Sequence, residues 1–233
     1  MSKFNKIVLN IPHSSINGVF TNGSGWGYNA NLLNSVMKET DWHTDFICND
    51  DREEIVPCIF NYSRFLVDVE RLENDPLENE GRGILYSNVN GHQRECLDKN
   101  KCEELLALRK NFLDSISKEL TDTTLLIDCH SFNNEVAKDV DICIGFNDDW
   151  SKPDDDIISG IASIFAAAGY KVKFNKPYSN SITPKSDSLY KSIMIEVNKK
   201  LYLRNNSNEI NVDTIYAPKL SNTIKKVYDF ALS

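Results

Sequence analysis

Two histidines of this chain come directly after apolar runs that have the character of buried strands. His13 follows the run KIVLNIP, and His130 follows TLLIDC. Asp41 and Asp45 lie between them in the sequence, one helical turn apart. Two imidazoles and a carboxylate are the usual ligands of a catalytic zinc ion, which leaves one coordination position to water. We therefore predict that His13, His130 and one of the two aspartates bind zinc, while the other aspartate orients a ligand histidine.

The histidines also have structural interpretations. Either ligand candidate alone fits a hydrogen-bonded side chain at a strand end equally well, and the combination with two acids is what favours a metal site. His43 lies two residues from each aspartate, so a helix points it away from them, and we expect it to pack or to support the ligands. His92 has loop-like neighbours, and we expect it to be exposed or to gate the site.

Glu196 interrupts the apolar run SIMIEV, which is typical of a buried strand. A carboxylate in such a place must be paired, bound to a metal or kept near neutral. A raised pKa suits a general base that takes a proton from water beside a metal, and this is the role that we predict. The alternative is a structural ion pair with Arg64 or Arg71.

Arg64 and Arg71 bracket the run FLVDVE. The planar guanidinium binds carboxylates through two parallel hydrogen bonds, so both arginines are predicted to bind a substrate with two carboxylates. Arg71 is also predicted to assist catalysis by stabilising an oxyanion. Asn175 and Tyr178, in the segment NKPYSNS, are predicted to line the rim of the site. The simpler possibilities are surface ion pairs for the arginines and an ordinary turn for the segment.

Strands and helices must bring these side chains together, and the periodicity of the sequence predicts where they lie. Strands are predicted at 6–11, 55–60, 65–69, 124–129, 140–145, 170–174 and 192–197, and helices at 29–46, 98–120, 155–168 and 218–232. This alternation predicts one α/β domain over residues 1–233, with three αβα layers around a central mixed sheet. Ligands bind such sheets beyond the carboxyl ends of the strands. The range 73–92 is rich in Gly, Asn and charge, and its length indicates an excursion over the site.

The charge balance excludes some classes of partner. The chain has 26 Lys and Arg against 34 Asp and Glu, a formal net charge of -8, which repels nucleic acid and anionic membranes. Its six cysteines form no CxxC pair, and no apolar run has the length of a signal peptide core or a membrane span. We expect a cytoplasmic protein with a small acidic substrate, drawn in by local arginines.

Seven motifs occur in an order that resembles the N-formylglutamate amidohydrolase family. They are NIPHSS, DWHTD, SRFLVDVER, GRGILYS, DCHSF, NKPYSNS and IEVNKKLY, and together they span most of the chain. The family is similar in turn to zinc carboxypeptidases and aspartoacylase. The resemblance implies a zinc carboxypeptidase-like fold, one Zn²⁺ per chain, and hydrolysis of N-formyl-L-glutamate to formate and glutamate, a step of histidine degradation.

The resemblance also assigns roles to individual residues. It implies His13 and His130 as zinc ligands, with Asp41 or Asp45 as the acidic ligand. It implies Arg64 and Arg71 as carboxylate binders and Glu196 as the general acid and base. These roles agree with those predicted from the residues.

Two departures from the family pattern affect the choice of substrate more than the chemistry, and a third affects the acidic ligand, which must come from further along the chain than position 16. Lys199 stands where many relatives have arginine in IEVNR, and Arg82 stands where many have methionine in GMG. Ile16 replaces the acid of the HxxE pair of the wider group. The alternatives are a hydrolase of another N-acyl amino acid or of a small acidic peptide, and a non-catalytic binding module with the same fold. A monomer and a homodimer are both compatible with the sequence.

Overall fold

A mixed sheet of six strands forms the centre of the protein, in a computed structural model that describes residues 4–19, 32–94, 97–206, 209–211 and 217–233. The strands are β1 (Lys6–Ile11), β2 (Ile55–Ile59), β3 (Asn88–Val89), β4 (His92–Gln93), β5 (Thr124–Phe132), β6 (Ile142–Gly145), β7 (Val172–Phe174), β8 (Lys191–Asn198), β9 (Arg204–Asn206) and β10 (Glu209–Asn211). The order in the central sheet is β2-β1-β5-β8-β6-β7, and only β6 and β8 pair antiparallel. The predicted mixed sheet is thus confirmed.

Helices cover both faces of this sheet. They are α1 (Leu33–Glu39), α2 (Thr44–Ile47), α3 (Lys99–Glu119), α4 (Asp155–Ala167) and α5 (Pro218–Leu232), with 3-10 turns at Pro76–Glu80 and Lys199–Leu201. Odd-numbered residues of β1, β5 and β8 pack against α2, α4 and α5, while Val8 and Leu126 pack against α3. The predicted three-layer α/β architecture is therefore confirmed. None of the described helices combines the length and the apolar character that crossing a bilayer requires.

The alternation of side chains along the strands places the polar residues on one face. Successive residues of a strand point to opposite sides of the sheet. Ile193, Ile195 and Val197 lie in the core with α4 and α5, so Glu196 points to the other side. By the same alternation, Asp128 and His130 of β5 share the face of Leu126. The central strands therefore present their acids and His130 on the α3 side.

Two of the predicted elements are wrong. Residues 65–69 form no strand but a series of turns, in which Leu66 and Val67 donate backbone hydrogen bonds to the carbonyl of Ser63. The apolar side chains of this segment are buried. A buried loop is as rich in apolar residues as a buried strand, so the composition of the segment does not distinguish the two. The predicted helix 29–46 is interrupted between α1 and α2, and Asp41 lies in the interruption; residues 29–31 are outside the described residues.

The contact between α4 and α5 depends on Gly160. A Cβ atom on Gly160 would lie 2.1 Å from Cζ of Phe230. We expect Gly160→Ala to lower the free energy of unfolding by about 1–2 kcal/mol, although alanine favours helices, because the Phe230 ring must move. Chemical denaturation measures the change, and Ser163→Ala, an exposed change on the same helix, is the control, expected within about 0.5 kcal/mol of the wild type. Equal stability of all three proteins would show that the ring moves at no cost.

Candidate active site

His13, Asp41 and His130 meet at the carboxyl ends of β1 and β5, with His13 two residues after β1 and His130 within β5. Nδ1 of His130 lies 3.1 Å from Oδ2 of Asp41, and Nδ1 of His13 lies 3.8 Å from the same oxygen. All three side chains are buried, and the ligand atoms are mutually close enough to hold one metal ion. Nδ1 of His13 has no hydrogen-bond partner. A buried nitrogen of this kind is unfavourable unless it binds something, so the donor set fits a metal.

One backbone hydrogen bond and two side-chain contacts fix the position of Asp41 in this group. Its backbone N–H donates to the carbonyl of His13 over 2.9 Å, which ties the end of α1 to the end of β1. The hydroxyl of Ser131 donates to Oδ1 of Asp41 over 3.0 Å, and Nζ of Lys199 lies 3.8 Å from that oxygen. The interruption between α1 and α2 is therefore what turns Asp41 toward the two histidines.

Asp45 lies elsewhere. It is a partly exposed residue of α2 and belongs to neither group of candidate metal ligands in the described part of the chain. The two aspartates are not on one helical face, because the helix predicted to hold both is broken. His43, at the start of α2, has a left-handed backbone with φ of 59°.

Asp68 connects His13 with both predicted carboxylate binders. Its side chain is fully buried and accepts hydrogen bonds from Arg64 over 3.0 Å and from the Tyr86 hydroxyl over 3.0 Å. Nε2 of His13 lies 3.1 Å from its other oxygen. Burial opposes ionisation of Asp68, but Arg64 and His13 outweigh it and hold the pKa well below its usual range. Asp68 is therefore an anion that orients His13 so that Nδ1 faces Asp41.

The two histidines differ in charge. Burial, followed by the nearby Arg64, lowers the pKa of His13 to about 4, so its ring is neutral and able to bind a metal. Burial also acts to lower the pKa of His130, but the carboxylates of Glu70 and Asp128 outweigh it and raise this pKa well above its usual value. Without a cation beside it, His130 is therefore the positively charged member of the pair.

Glu196 is buried next to the metal-ligand group. Glu196 on β8 lies directly opposite His130 on β5. Its side-chain oxygen Oε2 has no hydrogen-bond partner. Burial raises the pKa of Glu196 to about 8. The alternative ion pair with Arg64 or Arg71 is not formed, because both arginines bind Asp68.

Arg64 and Arg71 both face the cleft but differ in position. Arg71 lies 3.6 Å from Asp75 and donates to the Tyr86 hydroxyl over 3.2 Å, whereas Arg64 donates to Asp68 over 3.0 Å. Nε of each arginine is buried without a hydrogen-bond partner.

The two predicted rim residues have different positions. Tyr178 is 44% exposed and lines the cleft, where burial and Glu196 raise its pKa while Arg64 and Arg82 act in the opposite direction. Asn175 is not among the residues of the cleft wall. It adopts a left-handed turn with φ of 52°, and its side-chain oxygen accepts from the backbone of Phe146 over 2.9 Å. Asn175 is therefore part of a turn, whereas Tyr178 lies at the rim of the cleft.

The residue patterns pointed to neither Glu70 nor Asp128 as site residues. Nε2 of His130 lies 2.9 Å from Oε2 of Glu70 and 3.0 Å from Oδ1 of Asp128. Both acids lie in apolar runs, as Glu196 does, and the cost of burying a carboxylate could have identified them. The cleft has a volume of about 2140 Å³, and its wall includes Glu73, Asp75 and Arg82 from the predicted excursion 73–92.

Comparisons with known proteins agree with this fold and identify the family. The crystal structure of N-formylglutamate amidohydrolase from Ralstonia eutropha JMP134 matches with a TM-score of 0.70 and 16% identity, over 99% of this chain and 95% of that one. A gene product of Agrobacterium tumefaciens matches with a TM-score of 0.61 and 12% identity, over 99% of this chain and 90% of that one. A search of curated proteins gave no match. The family model for N-formylglutamate amidohydrolase matches residues 5–203. This chain therefore belongs to the N-formylglutamate amidohydrolase family and is an amidohydrolase.

Proposed function

We propose that the protein is a zinc-dependent hydrolase that converts N-formyl-L-glutamate, or a close N-acyl amino acid, to the free acid and the amino acid. The observation that supports this best is the position of two unpartnered buried groups, Nδ1 of His13 and Oε2 of Glu196, at one cluster. The first needs a cation and the second suits a base. A metal-assisted hydrolysis uses both.

His13, Asp41 and His130 are the residues that we propose to hold the zinc ion. When bound, zinc polarises a carbonyl and increases the acidity of water. Two imidazole nitrogens and one carboxylate oxygen leave an open position of the kind that catalytic zinc sites have. Asp68 keeps His13 in the required orientation through Nε2, as carboxylates behind ligand histidines do.

Glu196 is the proposed general base and acid. Its carboxylate takes a proton from the water that attacks the formyl carbon, which forms a C–O bond. It then gives that proton to the nitrogen of the departing glutamate as the C–N bond breaks. A carboxyl whose pKa lies near neutrality can perform both transfers.

Arg64, Arg71 and Tyr178 are the proposed substrate-binding residues. Arg71, the arginine predicted to stabilise an oxyanion, lines the cleft together with Arg64, and both guanidinium groups lie at Asp68. The guanidinium group of Arg71 binds a substrate carboxylate from the cleft wall. The positive charge of Lys199 lies beside the Asp41 carboxylate. Lys199 therefore supplies part of the positive charge that an arginine supplies at this position in many relatives.

Arg82 is expected to add selectivity for acidic substrates. Its guanidinium binds Glu39, lies 5.7 Å from the centre of the Tyr86 ring, and keeps Nε buried without a partner. We expect Arg82→Met to lower kcat/KM for N-formylglutamate about 10- to 100-fold, mainly through KM, because a charge-assisted hydrogen bond is lost. The neutral, nearly isosteric N-formylglutamine should be affected little.

Arg52→Met is the control for this experiment, since Arg52 forms its ion pairs with Asp50 and Asp229. Its kinetics with both substrates should equal those of the wild type. Equal losses with N-formylglutamate and N-formylglutamine in Arg82→Met would assign Arg82 a general structural role.

The chain offers little support for a non-catalytic binding module. Such a module has no use for a carboxyl buried without a partner beside a metal-ligand group, and Glu196 is this carboxyl. We also propose that residues 1–233 form one catalytic domain that works in the cytoplasm. The five described cysteines are free thiols, which supports a reducing environment.

Release of formate from N-formylglutamate tests the proposed function. We expect about one zinc ion in the ligand group of His13, Asp41 and His130, turnover that a chelator removes, and recovery on addition of Zn²⁺. N-acetylglutamate and small acidic peptides should react more slowly. Turnover that survives complete removal of metal would contradict the mechanism, and preference for an acetyl or peptide substrate would move the proposal to that class.

A further inference from the structure

Glu70, Asp128 and Nε2 of His130 form a second group of potential metal ligands. Nε2 is 2.9 Å from Glu70 and 3.0 Å from Asp128, and the three atoms are close enough to bind one ion. Neighbouring ligands of an octahedral cation, each about 2.1 Å from it, are about 3.0 Å apart. The spacing of this group therefore matches a coordination sphere as well as it matches hydrogen bonds.

The charges around this group are not balanced by lysine or arginine. Asp68 is paired with Arg64 and Arg71, and Asp41 lies near Lys199. Glu70 and Asp128 form ion pairs only with histidine among the described residues, and they depend on the same His130 that also pairs with Asp41. The two carboxylates therefore lie side by side, with the His130 ring and the Asn10 amide as their nearest side-chain partners.

Two buried atoms without hydrogen-bond partners border the group. Nδ2 of Asn10 donates to Glu70 over 2.6 Å and to Asp128 over 2.9 Å, while Oδ1 of this fully buried side chain has no partner. A half-turn of the amide, which leaves its shape unchanged, brings this oxygen to the carboxylates as a further ligand. Nδ1 of His13, also unpartnered, is 3.9 Å from Oε2 of Glu70.

We propose that Glu70, Asp128 and Nε2 of His130 bind a second divalent cation, with Asn10 as an additional oxygen ligand. Carboxylate and amide oxygens with one imidazole suit Mn²⁺ or Zn²⁺. Glu70, whose side chain is 17% exposed, lines the cleft with Asp128, so an ion can enter from solvent. His130 then bonds one ion through each ring nitrogen, and its remaining ring proton passes to solvent.

The number of metal ions that the full chain binds tests this proposal, and the measurement needs no substrate. Apo-protein is loaded with Zn²⁺ or Mn²⁺, passed over a desalting column, and analysed for metal. We expect two equivalents in the wild type and one in Glu70→Gln and Asp128→Asn. Asp41→Asn should also retain one, at the second position. Asp45→Asn, which removes a nearby acid outside both groups, should retain two.

Anomalous diffraction from zinc-loaded wild-type crystals requires no variant, so a folding defect in a mutant cannot obscure the result. Two peaks roughly 6 Å apart are expected, the sum of two metal–nitrogen bonds and the width of an imidazole ring. One equivalent and one peak in the wild type would overturn the proposal and leave Glu70 and Asp128 as hydrogen-bond acceptors for His130. Because formate release is measured separately, this outcome is independent of the proposed function.

Discussion

Replacement of Glu196 by glutamine is expected to lower kcat for formate release by about 10²- to 10⁴-fold. Glutamine has nearly the same shape but cannot take a proton from water, so the loss reports proton transfer. Metal content should not change, because Glu196 belongs to neither group of candidate metal ligands in the described residues. The same substitution also replaces a buried carboxyl whose Oε2 has no hydrogen-bond partner, so the variant should be at least as stable as the wild type.

Glu103→Gln is the matched control for Glu196→Gln. Glu103 is an exposed residue of α3 whose ion pair partner is Lys99, and its substitution should leave kcat unchanged. Steady-state kinetics and metal analysis of the same preparations are the measurements. Full activity of Glu196→Gln with normal metal content would remove Glu196 from the mechanism.

The choice between Asp41 and Asp45 has the second-largest expected effect. We expect Asp41→Asn to weaken binding of the catalytic zinc by about 100-fold or more, since loss of a ligand should exceed the 10- to 100-fold effect of a residue behind a ligand. Asp45→Asn should bind zinc as the wild type does. Competition with a chromophoric chelator measures both affinities, and activity at limiting zinc should follow them.

The reverse result, with zinc binding lost in Asp45→Asn and kept in Asp41→Asn, would place the ligand on α2. It would require α2 to turn, because the present contacts of Asp41 with His130 and Ser131 hold that carboxylate at the site. Circular dichroism of both variants checks that the difference does not arise from unfolding.

The strands that support the site could be predicted because they are buried in the sheet and their sequences are correspondingly apolar. The segments that became β1, β5 and β8 are apolar over most of their length, and their polar residues stand out for that reason. His130 and Glu196 were found in this way. Their pairing across two parallel strands was not predicted, since register depends on contacts between segments that are far apart in sequence.

The segment 65–69 shows why other parts could not be predicted. Its apolar residues are buried as they would be in a strand, but its backbone bonds to Ser63 within a turn and, through the N–H of Asp68, to the carbonyl of Ile84. A tertiary network therefore decides the local structure here. The interruption at Asp41 has a similar origin, because the backbone hydrogen bond to His13 replaces continuation of the helix.

Asp68 has a consequence for the energetics of binding, since one carboxylate interacts with both a proposed metal ligand and the proposed substrate binders. A substrate anion that draws Arg64 toward itself leaves more negative charge for His13, which makes its ring a stronger electron donor. Metal and substrate are then thermodynamically linked, and each should increase the affinity for the other by the same factor. In calorimetry, glutamate should bind more tightly to zinc-loaded than to apo-protein, and Asp68→Asn should reduce this cooperativity.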